Sequence, residues 1–128
     1  MPADQPVWDA FITRNRFEIQ QVWYDLHVGQ PVEIPEGSPQ WLYKVALGVT
    51  RKRIDVVCQM KNRIMVIEVK PVCNMASLGQ ALTYSKLLVK EYQIDKNVLP
   101  AVLCLAHDDD LVEIAENLGV KVIVEKDL

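Results

Sequence analysis

The sequence predicts an α/β domain in which helices flank a mixed central sheet. Two features carry this prediction. Between residues 41 and 70, apolar runs surround one short polar turn, which indicates a meander of antiparallel strands. From residue 74 onward, helical patterns alternate with apolar runs, which indicates parallel strands joined by helices. The predicted order is α-β-β-β-α-β-α-β, an αβββαβ core followed by a C-terminal helix and strand.

In the first half of the chain, apolar residues from Trp8 to Leu26 recur near the helical period, and Gly29 can end that helix. Proline and glycine then mark a surface loop. After the loop, two apolar runs meet at Lys61–Asn62, a two-residue connection in which Asn tolerates positive φ. The predicted elements are a helix over 6–28, a loop over 29–40, a strand over 41–47 and a hairpin of strands 53–60 and 63–70.

In the second half, Asn74 is the predicted N-cap of a long helix. An apolar run follows, in which Pro100 requires an edge strand or an early position within the strand. A last helix has Asp110 and Glu113 at capping-box spacing and Gly119 at its C-terminal end. The predicted elements are a helix over 74–93, a strand over 97–106, a helix over 109–119 and a strand over 120–125.

The composition indicates one folded domain over residues 1–128, because half of the residues are hydrophobic and 24% are charged. No apolar run reaches the length of a membrane-spanning helix, and the N-terminus lacks the basic and apolar regions of a signal peptide. We therefore expect a cytoplasmic protein without membrane contact. Cys58, Cys73 and Cys104 show no CxxC spacing, so we expect reduced core cysteines rather than disulfides or a zinc site.

Four charged residues lie at the open end of the predicted hairpin. Counting outward from the turn, Asp55 faces Glu68 and Arg53 faces Lys70, on the face that also carries Val57. Like charges directly opposite each other destabilise a strand pair. Two explanations remain open from the residues alone. The four residues could form diagonal ion pairs, or the two carboxylates could share a divalent cation such as Mg²⁺, which takes oxygen ligands.

Asp55, a hairpin turn and the run Glu68-Val69-Lys70 resemble the signature of the PD-(D/E)XK nuclease superfamily, whose members share the restriction-endonuclease-like fold. The predicted αβββαβ order is similar to the core of that fold. One departure is Ile54, which stands where the family motif has Pro. The resemblance implies a metal-dependent endonuclease that hydrolyses phosphodiester bonds of DNA. Asp55, Glu68 and the main-chain carbonyl of Val69 would hold Mg²⁺ or Mn²⁺, and Lys70 would orient or deprotonate the attacking water.

The helix after this motif strengthens the resemblance. Its segment LGQALTYSKLL is similar to a helix that contributes a Gln and often a Tyr to the site in several branches, including Holliday-junction-resolvase-like nucleases. Here these residues are Gln80, which would position the lysine or the water, and Tyr84, one helical turn later. The family often has a Glu on its first helix as well. Glu18 is the candidate for that metal-site group, and an ordinary surface position for Glu18 stays open.

The net charge of −3 means that a nucleic acid would have to be held by a local basic patch. Six basic residues fall between positions 51 and 70, and a solvated strand end together with a polar turn is the plainer explanation for them. The resemblance implies that Arg51, Lys52 and Arg53 hold the phosphate backbone of DNA, with Tyr84 nearby. RNA as a ligand and a homodimer are left open. The alternative function is a non-catalytic nucleic-acid- or protein-binding module on the same fold.

Overall fold

A computed structural model describes residues 5–30, 33–49 and 52–125 of the chain, with the side chains of 45–49 excepted. Within these residues the elements follow one another as α1 (Gln5–Asn15), β1 (Ile19–Val28), α2 (Gln40–Val49), β2 (Lys52–Met60), β3 (Ile64–Val69), β4 (Val72–Cys73), α3 (Met75–Tyr92), β5 (Val98–Cys104), β6 (Ala106–His107), α4 (Asp109–Leu118) and β7 (Lys121–Val124).

Five strands form a mixed sheet in the order β1-β2-β3-β5-β7. The first three strands are antiparallel, whereas β3, β5 and β7 are parallel to one another. A short parallel pair, β4 and β6, lies beside them. The predicted α/β class with a mixed central sheet is therefore confirmed. None of the described helices is long and apolar enough to cross a lipid bilayer.

The sheet buries both of its faces, which explains the nearly continuous apolar character of β3 and β5. On one face α1 packs Val7, Trp8 and Phe11 against β2, β3 and β5. On the other face α3 and α4 cover β5 and β7, and α3 also covers the hairpin. All six residues of β3 are buried, so any charge on this strand is held inside the protein.

The β2–β3 hairpin has the register that the two-residue turn predicts. The main-chain N–H of Met60 donates to the carbonyl of Arg63 at 2.8 Å, which closes the turn. Val57 lies opposite Val66, as counted outward from that turn. Short connections leave little freedom in register, so the turn determines which side chains face each other at the far end.

The predicted helix over 6–28 is wrong in its second half, because α1 ends at Asn15 and residues 19–28 form the edge strand β1. Ile19, Val22 and Leu26 have the spacing of a helical stripe, but they lie on a strand whose irregularities give its partly buried residues this spacing. The pairing of β1 with β2 shifts between Ile19 and Gln21, and Asp25 has a φ of +52°. Such irregularities change which side chains of a strand are buried.

The predicted strand over 41–47 is also wrong, since this segment lies in the helix α2. Apart from Lys44 its residues are all apolar, and a short apolar run does not distinguish helix from strand. The helix starts just after Pro39, whose carbonyl accepts the N–H of Leu42 at 3.0 Å. With β1 as its first strand, the sheet keeps the αβββαβ order, and α2 is an insertion between β1 and β2.

The second half of the chain follows its predictions closely. Asn74 caps α3 in a capping box with Ser77, in which each main-chain N–H is bound by the other residue's side chain at 2.9 Å. The N-cap of α4 is Asp108 rather than Asp110. Gly119 ends that helix with a φ of +76°, a conformation that favours glycine. Pro100 lies early in β5, ahead of the residues that pair with β7.

One hydrogen bond joins α1 to the edge strand and can be removed without changing the packing. The indole Nε1 of Trp8, a buried residue, donates to the hydroxyl of Tyr24 at 2.9 Å. Replacing Tyr24 by Phe keeps the ring and leaves this N–H without its acceptor. We expect Tyr24→Phe to lower the free energy of unfolding by about 1 kcal/mol in urea denaturation. Tyr92→Phe, on exposed α3 surface, should change it by less than about 0.5 kcal/mol, and equal losses in both variants would contradict the assignment.

Candidate metal and catalytic site

The β2–β3 ladder opens next to two carboxylates. Its last paired residues are Val56 and Ile67. Because hydrogen-bonded pairs alternate along an antiparallel ladder, the N–H of Val69 would next donate to the carbonyl of Ile54. It donates instead to Oδ2 of Asp55 at 3.0 Å. A side-chain carboxylate thus replaces a main-chain acceptor, and the strands part at this end of the hairpin.

Glu68 is the most unusual charged residue of this region, with only 2% of its surface exposed. Its Oε1 has no hydrogen-bond partner among the described residues. Burial, the charge of Asp55 and a hydrogen bond between the two carboxyl groups together raise the pKa of Glu68 to about 8. The main chain of Asp55 and the charge of Lys70 act in the opposite direction but are weaker. The two carboxyl groups therefore lie side by side, as the hairpin register predicts.

Lys70 follows Glu68 by two residues, and its side chain is half-buried. Its main-chain N–H donates to the carbonyl of Leu103 at 2.9 Å, so β5 holds the backbone at this position. Within the described residues, no ion pair of 4 Å or less joins Lys70 to Asp55 or Glu68. The charge of Lys70 nevertheless acts on the pKa of Glu68, so the ammonium group is within electrostatic reach of that carboxyl.

The diagonal ion pairs considered for the hairpin do not form. Arg53 instead approaches Asp25 on the neighbouring strand β1, where Nε lies 4.0 Å from Oδ1 and both side chains are largely exposed. Asp25 was missed as a partner because the sequence placed it in a helix. No signal in the local sequence pattern identifies Asp25 as a partner. Arg53 lies opposite His27 only because β1 pairs with β2, and this pairing brings Asp25, two residues away on β1, close to Arg53.

The helix α3 turns one face toward the acid pair. Burial raises the pKa of the half-buried Tyr84, and the charges of Glu68 and Asp55 raise it further, so its hydroxyl lies near both carboxylates. Gln80 is half-buried and lies one turn earlier on the same helix face. The predicted neighbourhood of Tyr84 is thus present, and the role of Gln80 stays a prediction.

Several of the other predicted residues are not brought to the acid pair. Glu18 is exposed in the turn between α1 and β1, not on the first helix, and it lines a cleft with Met60 and Lys61 at the opposite end of the hairpin. Lys52 is half-buried beside Gly29 rather than exposed. Arg51 lies outside the described residues.

Two solved structures share the fold. A repair endonuclease from Pyrococcus abyssi is 17% identical over 94% of this chain and 46% of its own, with a TM-score of 0.56. The EndoMS chain in a complex with double-stranded DNA is 16% identical over 94% of this chain and 44% of its own, with a TM-score of 0.54. This chain has the restriction-endonuclease-like fold. It spans less than half the length of either protein. No protein-family model and no curated protein sequence matches it.

In this restriction-endonuclease-like fold, the residues at the open hairpin end fit a hard divalent cation. The described residues contain no group of three or more His, Cys, Asp or Glu suited to a metal. Mg²⁺, however, usually takes only one or two carboxylates and keeps several waters. Glu68, whose Oε1 has no partner, and the neighbouring Asp55 supply these two carboxylates. The carbonyl of Val69 points to the same side of its strand as its N–H, which faces Asp55.

The pKa of Glu68 makes the metal-free stability depend on pH. An unfolded chain releases this proton near pH 4.5, whereas the folded protein keeps it until about pH 8. The folded state therefore binds more protons in this window, and its stability falls as pH rises through it. Glu68→Gln removes the titration. In EDTA, we expect wild type to lose on the order of 4 kcal/mol relative to Glu68→Gln between pH 5 and pH 8.5, measured by urea denaturation.

Glu116→Gln is the matched control for this experiment, because Glu116 is an exposed residue of α4. It should follow the wild-type dependence on pH. Parallel curves for wild type and Glu68→Gln would show that Glu68 titrates normally in the folded protein, and would contradict its burial beside Asp55.

Proposed function

We propose that the chain is a metal-dependent endonuclease that hydrolyses phosphodiester bonds of DNA. The observation that carries the proposal is the buried, unpartnered carboxylate oxygen of Glu68 beside Asp55, with the charge of Lys70 within electrostatic reach of Glu68. Two acids and a base at the open end of a central hairpin are costly for folding. A cation and an anionic phosphate would compensate these charges. The two solved neighbours, which share only the fold, are named as a repair endonuclease and as EndoMS bound to double-stranded DNA.

Asp55, Glu68 and the main-chain carbonyl of Val69 would hold the cation, Mg²⁺ or Mn²⁺. Bound there, such an ion supplies positive charge beside the scissile phosphate and a water of lowered pKa. The protein contributes the fixed position of its ligands. Asp55 is held by the Val69 N–H, and Glu68 is buried in the strand β3.

Lys70 would act on the attacking water and on the charge that develops on the phosphate. Its ammonium group lies near the acid pair without an ion pair of 4 Å or less to either acid. The backbone bond to Leu103 keeps the residue at the edge of the site. The Lys70 ammonium group can therefore donate a hydrogen bond to a substrate oxygen without first breaking a strong ion pair.

The face of α3 that contacts the acid pair would complete the site. Tyr84 is protonated at neutral pH like any tyrosine, and burial raises its pKa further, so its hydroxyl can donate to a phosphate oxygen. Gln80, one turn earlier, would position Lys70 or the attacking water. Arg51, Lys52 and Arg53 would contact the phosphate backbone, and Arg53 would exchange its weak contact with Asp25 for a phosphate. A homodimer would allow two such sites to cut both strands of a duplex.

The decisive variant is Lys70→Ala, since it separates a catalytic lysine from a structural one. We expect cleavage to fall about 100-fold or more, as for loss of a positioned acid–base or electrostatic group. The free energy of unfolding should change by no more than about 1 kcal/mol, because no close ion pair is lost. Cleavage is measured with Mg²⁺ and with Mn²⁺ on linear, branched and single-stranded DNA and on RNA, and stability by urea denaturation in EDTA.

Lys90→Ala, at an exposed position in the last turn of α3, is the control and should retain both activity and stability. The proposal fails if wild type cleaves none of these substrates and Lys70→Ala loses about 3–5 kcal/mol, the cost of breaking a buried ion pair. That result would favour a non-catalytic nucleic-acid- or protein-binding module.

A further inference from the structure

A second surface with unusual chemistry lies at the turn end of the β2–β3 hairpin. It is a cleft of about 440 Å³ between the α1–β1 turn and the hairpin turn, and we refer to it as the turn cleft. Its lining residues are Phe17, Glu18, Gln20, Met60, Lys61, Asn62 and Arg63. None of them has a role in the acid-pair site described above.

Phe17 is the most exposed large apolar side chain among the described residues, with 89% of its surface accessible. A buried ring would stabilise the fold, whereas this ring contributes almost no buried area. The guanidinium of Arg16 lies 4.6 Å from the ring centroid, in cation–π contact. The rest of the ring is open to solvent beside the cleft. The open face of the ring is therefore available for stacking against a flat ligand.

The surroundings of this ring are basic. Lys61 and Arg63 line the turn cleft, and Glu18 is its one acidic lining residue. Neither base has an acidic partner within 4 Å among the described residues, and the same holds for Arg16. These four side chains give the surface a charge of +2 on a chain whose net charge is −3. An anionic ligand would be attracted here and repelled by most of the remaining surface.

The positive charge extends into an adjoining cavity of about 200 Å³ that shares Glu18, Met60 and Arg63 with the turn cleft. Lys121 at the start of β7 adds another exposed cation there. Arg14 also lines this cavity, but its guanidinium lies 3.1 Å from the buried carboxylate of Glu125 and is already compensated. Lys61, Arg63 and Lys121 therefore line two adjoining cavities beside the exposed ring.

The turn cleft is separate from the acid pair. Four residues of β2 lie between Asp55 and Met60, which places the two residues about 16 Å apart along the strand. The two regions also belong to opposite faces of the sheet, because Met60 packs in the core on the α1 side whereas Tyr84 of α3 faces the acid pair. A ligand in the turn cleft therefore does not need the acid pair or a catalytic site.

We infer that the turn cleft binds single-stranded nucleic acid, with an unpaired base stacked on Phe17 and phosphates on Lys61 and Arg63. An aromatic platform beside a basic groove is the combination that proteins use for unpaired strands. A regular duplex offers its phosphates but hides the faces of its bases, so it would leave the exposed ring unused. The guanidinium of Arg16 provides a second flat surface on which a neighbouring base stacks.

The test is fluorescence anisotropy with labelled 12-mer oligo-dT, 12-mer oligo-U and a blunt duplex, all in EDTA so that cleavage does not contribute. Wild type should bind at least one single strand more tightly than the duplex, and the two single-stranded probes distinguish DNA from RNA.

Phe17→Ala should weaken the binding of the single strand about tenfold, the scale of losing one stacked base. Phe17→Tyr, which keeps an aromatic ring, should bind the single strand as tightly as wild type. Lys61→Ala/Arg63→Ala should reduce the salt slope by about 1.4, the value for two phosphate contacts on a single strand.

The controls are Tyr92→Ala and Lys90→Ala, which remove an exposed ring and an exposed cation from α3 and should leave binding unchanged. Thermal unfolding of Phe17→Ala should match wild type, because the ring is exposed. No binding of either single strand at 50 mM salt, or full binding by Phe17→Ala, would overturn the inference. Equally tight binding of an oligoglutamate of matched charge, insensitive to Phe17→Ala, would also overturn it and assign the cleft to an acidic polypeptide.

Discussion

The hydrogen bond from the Val69 N–H to the Asp55 carboxylate is the contact on which the arrangement of the open hairpin end depends. Val69 is fully buried, so its N–H needs an acceptor once the β2–β3 ladder has ended. Asp55 supplies that acceptor and is thereby held beside Glu68. The enclosed Glu68 carboxyl then has its pKa raised, and Tyr84 and Lys70 face the resulting pair. Losing this acceptor would leave a buried donor unpaired, at a cost of about 1–3 kcal/mol.

The site could be predicted from the sequence to the extent that turn chemistry determines register. The Lys61–Asn62 turn places Asp55 opposite Glu68, and the structure has the two carboxyl groups together. The cap at Asn74 likewise positions α3, so the helix face with Tyr84 could be anticipated. The opening of the strands could not, because it depends on a side chain that replaces a main-chain acceptor. Such a substitution leaves no trace in hydrophobic periodicity.

The misplaced first strand consists of residues whose partners are distant in the chain. Ile19, Val22 and Leu26 have helical spacing, yet they lie on a strand that only pairing with β2 stabilises. Tertiary context overrides local pattern in such edge strands. The same error placed Glu18 on the predicted first helix and hid Asp25 as the neighbour of Arg53. Each of these misplacements has one origin, which is the turn that breaks the apparent helix at residues 16–18.

Anomalous diffraction from crystals grown with Mn²⁺ near pH 8 tests whether the Asp55–Glu68 pair is a divalent-cation site. At that pH the Glu68 carboxyl can release its proton to a competing cation. We expect an anomalous peak within coordination distance of both carboxylates and of the Val69 carbonyl. Mn²⁺ bound only elsewhere on the protein, with the Lys70 ammonium between the two carboxylates, would contradict the claim.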